Sequence, residues 1–239
     1  MPSTILALHY WAGSGRVFTS LFPLLPTDTR LLTPDLPGFG QQAAPAGFAY
    51  SVRAYADWIA AYVQQHEMTD FTLLGHSMGG KIALALAARR PAGLRRLVLL
   101  SPSPPTPEPI SDEDRAAARA AFGNPGAAVR TFHKITQRPL PADRRAAVIA
   151  DSLRTSQAAW DAWLDAGSRE DISAEISQIA VPCHLLVGAE DRAITPATQR
   201  RQTLPWLPPT TSLVVVPGAG HLLPLEEPGR VAALLRERD

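Results

Sequence analysis

The chain has 239 residues, 46% hydrophobic and 19% charged, which is enough apolar material for a sizeable core and a length that suits one large domain. A formal net charge of +1, with no long run of like charges, argues against nucleic acid or an anionic membrane as partner. The lone cysteine, Cys183, rules out an internal disulfide, and the start Met1-Pro2-Ser3-Thr4-Ile5 lacks the basic and long apolar parts of a leader, so a cytoplasmic location with no membrane span is expected.

Taken in chain order, short apolar runs bounded by turn residues recur at Ile5 to Leu8, Leu31 to Thr33, Phe71 to Leu74, Leu94 to Leu100, Cys183 to Val187 and Ser212 to Val216. Such runs suit strands buried on both faces of a parallel sheet. Helical patterns lie between most of them. Val52 to Glu67 carries Val52, Tyr55, Ala56, Ile59, Ala60, Tyr62 and Val63 at helical spacing, and Met78 to Arg89 is rich in Ala and Leu. The alternation predicts an α/β fold: a doubly wound, mainly parallel sheet of about six strands.

The alternation breaks once. After Leu100, the run Ser101-Pro102-Ser103-Pro104-Pro105-Thr106-Pro107-Glu108-Pro109 is a stiff extended hinge in which no helix can start. From Ser111 to about Ser168 there are four helical patterns and no strand, the first opened by Ser111 and Asp114 as a capping box, with Gly123, Pro139 and Pro141 as later punctuation. The strand pattern resumes at about Ile179. Residues 104–176 are therefore expected to form an all-helical cap inserted into a core made of 1–103 and 177–239, over the sheet edge where open α/β sheets bind ligands.

The segment Phe71-Thr72-Leu73-Leu74-Gly75-His76-Ser77-Met78-Gly79-Gly80 sets G-x-S-x-G between a strand pattern and a helix pattern. A strand turning sharply into a helix puts Ser77 at the apex, and glycine at 75 and 79 leaves room for neighbouring backbone. The hydroxyl then stands at a helix N-terminus, where free amides favour developing negative charge. A serine that merely caps the helix is the plainer alternative.

On these residues the chain resembles the α/β-hydrolase family, whose chain order is nucleophile, acid, histidine. Gly188-Ala189-Glu190-Asp191-Arg192-Ala193-Ile194-Thr195-Pro196 is similar to the family's acid loop, in a register that selects Asp191 over Glu190. Gly218-Ala219-Gly220-His221-Leu222-Leu223-Pro224-Leu225-Glu226-Glu227-Pro228 is similar to its histidine loop. The resemblance implies Ser77, Asp191 and His221 as catalytic residues. Leu8-His9-Tyr10-Trp11 resembles the family's oxyanion loop, which gives the backbone amides of Trp11 and Met78 the oxyanion role. The family's glycine after His9 is here Tyr10, which limits positive φ at that position. Asp35, in Asp35-Leu36-Pro37-Gly38-Phe39-Gly40, reads as a turn organiser, His76 as a packing residue, and His66, His133 and His184 as structural.

A serine at the elbow argues against the aspartate-dependent members, haloalkane dehalogenases and epoxide hydrolases. It leaves esterases, lactonases, thioesterases, carbon–carbon bond hydrolases, acyltransferases and perhydrolases, all of which pass through attack on an acyl carbonyl. Trp11, Met78, Leu222, Phe132, Trp160 and Trp163 are the candidates to line the pocket, with Trp160 and Trp163 at i, i+3 able to share a helix face. An aromatic pocket without a basic cluster suits a small to medium uncharged ester as the small-molecule substrate, with no metal or organic cofactor required. A slow-turnover ligand receptor that keeps the three residues is the reading from another class. Monomer and homodimer both remain open.

Overall fold

Each apolar run becomes one strand of a single parallel sheet in the computed structural model, which describes residues 3–237. The outermost residues of the expected core, 1–2 and 238–239, lie outside the described ones. The strands are β1 (Thr4–Leu8), β2 (Arg30–Leu32), β3 (Phe71–His76), β4 (Leu94–Leu100), β5 (Cys183–Gly188) and β6 (Ser212–Val216), in the order β2-β1-β3-β4-β5-β6. All five pairings are parallel.

The period-2 alternation of strand side chains sorts the core onto two faces. Leu6, Leu8, Leu73, Leu97, Leu99 and Leu185 pack on one face with α1 (Val52–Gln65) and α2 (Met78–Ala88). Ile5, Ala7, Leu74, Val98, Leu100 and Leu186 pack on the other with Phe18 and Leu21 from a 3-10 stretch, Gly15–Leu24, and with Val231.

Between β4 and β5 the described residues hold no strand. They form α3 (Asp112–Ala120), α4 (Pro125–Ile135), α5 (Ala142–Arg154), α6 (Gln157–Asp165) and the short α7 (Ser173–Ile176). Local chemistry sets their starts. Ser111 Oγ accepts the Asp114 amide at 3.0 Å, and Asn124 accepts the Ala127 amide at 2.9 Å just before Pro125. The strand begins at Cys183 and not at Ile179, because the Ile179 amide closes the turn after α7 by donating to the Ile176 carbonyl, 3.0 Å away. Among the described residues three further α-helices follow β5: α8 (Pro196–Thr198), which runs on into a π-helical turn over Gln199–Thr203, α9 (Leu223–Glu226) and α10 (Pro228–Arg236). Among the described residues no helix is long and apolar enough to cross a membrane.

The two connections of the helical insertion run side by side. Ile172 N donates to Pro105 O and Glu108 N to Ser168 O, both at 2.8 Å. Lys81, in α2 and fully buried, donates from Nζ to Thr106 O (3.2 Å) and to Glu170 O (2.5 Å), fastening both connections to the core. Burial lowers its ammonium to about 8, against the opposing pull of Glu108, Glu170 and Asp171.

Candidate active site

Ser77 is the single residue between β3 and α2, and its backbone sits at φ 54°, ψ −117°. That region is strained for a residue with a Cβ and persists only where the surroundings over-determine it. Here they do: Ser77 N donates to Leu100 O at 3.0 Å, and Ser77 O accepts from Ser103 N at 2.9 Å. A Cβ on Gly75 would lie 2.7 Å from Gly79 O, and one on Gly79 would run into the Leu8 and His9 carbonyls. Gly79 therefore lets the elbow seat against the end of β1, and Gly75 lets α2 start close against β3.

Asp191 lies three residues past β5, and His221 lies in the loop after β6. His221 Nδ1 is 2.7 Å from Asp191 Oδ2, and both residues are buried. Asp191 Oδ1 accepts the Ala193 and Ile194 amides at 2.8 and 2.9 Å, so the carboxylate is an acceptor on both oxygens. That fixes the tautomer: Nδ1 of His221 carries the hydrogen, and Nε2 is the basic nitrogen. Burial alone would lower the His221 pKa, but the charge and hydrogen bond of Asp191, aided by Glu108 and Glu226, outweigh it and the net shift is upward. Burial likewise disfavours the Asp191 carboxylate, and His221 with the amide of Ile194 more than compensates, so Asp191 stays ionised.

His76, beside Ser77, donates from Nε2 to the His221 carbonyl at 2.8 Å, with the ring centroids 5.1 Å apart. Burial pushes its pKa down to about 3, so it is a neutral donor. His9 is neutral for the same reason: Nδ1 donates to Tyr10 O (2.8 Å) and Nε2 accepts from Leu36 N (2.9 Å). The loop after β1 takes its positive φ at Ala12, 62°, and not at Tyr10, so the tyrosine is no steric obstacle. Among the described residues, neither the Trp11 nor the Met78 amide has a hydrogen-bond acceptor, nor has the buried Trp11 Nε1. Asp35 accepts Gly15 N and Gln41 N, both at 2.8 Å, and so organises two loops at the same rim.

The pocket candidates divide. Trp11 and Trp160 pack together with ring centroids 4.3 Å apart, and Trp160 Nε1 donates to Ala118 O at 3.2 Å. Trp163 belongs to the main core with Met78, against Gly167, so the two tryptophans of α6 do not share one environment. Phe132 and Leu222 pack in the second core cluster with Tyr10. Glu190 is exposed.

Sequence reasoning assigned no role to Glu108, Asp151 and Lys81, three charged groups at the junction of the insertion and the core. Glu108 is raised by burial, opposed by Ser103, Lys81 and His221. Asp151 of α5 accepts Ser14 Oγ at 2.6 Å and pairs with Arg16, tying the insertion to the loop after β1. Lys81 fastens the hinge. The signals for Glu108 and Lys81 lay in plain view, next to the hinge and the elbow; Asp151 sits among arginines on an amphipathic helix and gives none. Among the described residues no group of three or more His, Cys, Asp or Glu is placed to hold a metal ion.

A family model described as alpha/beta hydrolase family matches residues 5–234. A pimeloyl-[acyl-carrier protein] methyl ester esterase of Neisseria meningitidis serogroup A is 31% identical over 98% of this chain and 75% of its own length. A 2-succinyl-6-hydroxy-2,4-cyclohexadiene-1-carboxylate synthase of Enterobacter sp. is 30% identical over 98% of this chain and 90% of its own. Among solved structures, an esterase from Exiguobacterium antarcticum superposes with a TM-score of 0.88 at 21% identity, over 98% of this chain and 90% of that one, a likeness of fold.

Proposed function

Since the chain belongs to the alpha/beta hydrolase family, we propose that it is a serine hydrolase that cleaves small to medium uncharged carboxylic esters through an acyl-enzyme. The observation that carries this reading is the 2.7 Å contact of Asp191 with His221 Nδ1, which leaves Nε2 as a base in the loop that also contacts His76, the neighbour of Ser77. The methyl ester in the name of the meningococcal relative supports an ester with a small alcohol.

In the proposed cycle His221 Nε2 takes the proton of Ser77 Oγ as that oxygen attacks the acyl carbon. The amides of Met78 and Trp11 receive the oxyanion, and being preorganised they stabilise it without rearrangement at the moment of reaction. The alcohol leaves with the proton from His221. Water then attacks the acyl-enzyme, giving its proton to His221, and the acid departs as Ser77 recovers its hydrogen. Residues 104–176 act as a helical cap in this reading, with Trp160 over Trp11 as an aromatic wall and the unpartnered Trp11 Nε1 as a donor toward the substrate.

Turnover of short p-nitrophenyl esters by Ser77→Ala and His221→Ala tests the proposal. Both variants are expected to be inactive, and undiminished turnover by either overturns it. A second reading, other acyl-directed or carbon–carbon chemistry on the same side chains, is favoured by the relative named as a synthase. Failure of every ester in a screen of acyl lengths and leaving groups, with Ser77 still labelled by a fluorophosphonate, would move the assignment there.

A further inference from the structure

We propose that Glu226 is a positioning residue for His221: one buried carboxylate holds the main chain on both sides of the histidine and ties it to the segment after α4. The proposal rests on the reading of His221 as the base. Oε2 of Glu226 accepts Gly220 N (2.9 Å), Gln137 N (2.8 Å) and Arg138 N (2.9 Å), and Oε1 accepts Leu222 N (3.0 Å). Four amides thus converge on one carboxylate, three on Oε2 and one on Oε1, and both of its oxygens are satisfied. The His221 amide itself donates to Ile135 O at 2.8 Å. Three consecutive amides, 220 to 222, are thus anchored, and residues 135–138 of the insertion supply one acceptor and two donors to the arrangement.

The packing leaves no slack. A Cβ on Gly220 would stand 2.9 Å from Glu226 Oε1 and 2.9 Å from Gln137 N, so the loop and the carboxylate meet in direct contact. Misplacing an imidazole by about 1 Å costs on the order of 10²-fold in rate. The charge matters as well as the reach: Glu226, with Asp191 from the loop after β5 and Glu108 from the hinge, favours protonated His221, while the neighbouring His76 ring from β3 is neutral in this range and adds no charge.

The test compares wild type, Glu226→Gln, Glu226→Asp and His221→Ala on p-nitrophenyl butyrate across pH, with thermal melts of each. Glu226→Gln is expected to lose kcat on the order of 10²-fold with KM little changed, and its acid limb moves to lower pH because a charge that favoured the imidazolium is gone. Glu226→Asp keeps the charge but falls one methylene short, so kcat drops while the limb stays. A Glu226→Gln enzyme with wild-type kcat, or with a loss that follows only a lower Tm and an unmoved limb, overturns the proposal. Should that variant not fold, Glu226→Asp decides: reduced kcat supports it and wild-type kcat overturns it. Activity retained by His221→Ala overturns the base assignment instead, so the two failures are distinct.

Discussion

His76 hydrogen-bonds through Nε2 to the main-chain oxygen of His221, 2.8 Å away, so the residue preceding the candidate nucleophile grips the backbone of the candidate base. Because the ring stays neutral down to about pH 3, its contribution is a fixed donor and not a titrating charge. His76→Leu, which removes the donor, is expected to lower kcat about tenfold, a loss on the scale of a neutral hydrogen bond. His76→Gln, whose amide can donate from a similar place, is expected to recover part of it. Equal kcat in the two variants contradicts this assignment.

The strain at Ser77 predicts an asymmetry in stability between two of its variants. Ser77→Gly removes the Cβ that φ 54°, ψ −117° penalises, whereas Ser77→Ala keeps it. Ser77→Gly should melt higher than Ser77→Ala, by a difference on the order of 1 kcal/mol. Differential scanning calorimetry of the pair measures it, and a lower Tm for the glycine variant rejects the idea.

The acid limb of kcat/KM should have its midpoint above 6.5, the ordinary value for histidine, since the His221 pKa is raised and only the neutral ring can accept the serine proton. Turnover therefore falls as pH drops through that value. Asp191→Asn is expected to lower kcat by about 10⁴-fold, the cost of losing the orienting carboxylate, and to shift the remaining limb downward. The pH profiles of the two proteins check both statements.

Lys81 predicts a stability change on the alkaline side. Its folded pKa of about 8 lies below the ordinary lysine value of 10.5, so between those values the folded chain has released a proton that the unfolded chain still holds. Stability should therefore rise with pH across that window, by at most about 3 kcal/mol. Urea unfolding at pH 8 and pH 10 tests it: the gain is expected in wild type and absent in Lys81→Met.

Trp160→Ala opens the wall over Trp11 and should raise KM for aryl and long-acyl esters more than for acetate esters, with kcat for acetate little changed. Parallel Michaelis curves for the ester series give the answer; a uniform change across it places Trp160 outside the pocket.

The strands were legible because buried parallel strands carry continuous apolar runs, and each of the six runs fell within a residue or two of its observed limits. The start of the helical insertion was legible from its first cap: Ser111 does accept the Asp114 amide that its position suggests. What could not be read was direction in space. Spacing alone put Trp160 and Trp163 on one helix face, yet one meets Trp11 and the other enters the core. Nor could spacing show that Glu226 gathers amides from residues 137 and 138, since that contact joins segments almost ninety positions apart in the chain. The positive φ at Ala12 was hidden for a related reason: a motif names residue types, and the bend moved two places along the loop.

The paired hinge has a consequence for modularity. Ile172 N and Pro105 O are within hydrogen-bond reach, so the excursion between them starts and finishes at one point on the core. A turn of a few residues spliced there closes a very short loop, at little entropic cost, and leaves every strand in register. Any helical module exchanged at that junction would have to restore the contacts that Ile135, Gln137 and Arg138 make with the segment 220–226, so its shape is free to vary only where those three contacts are kept.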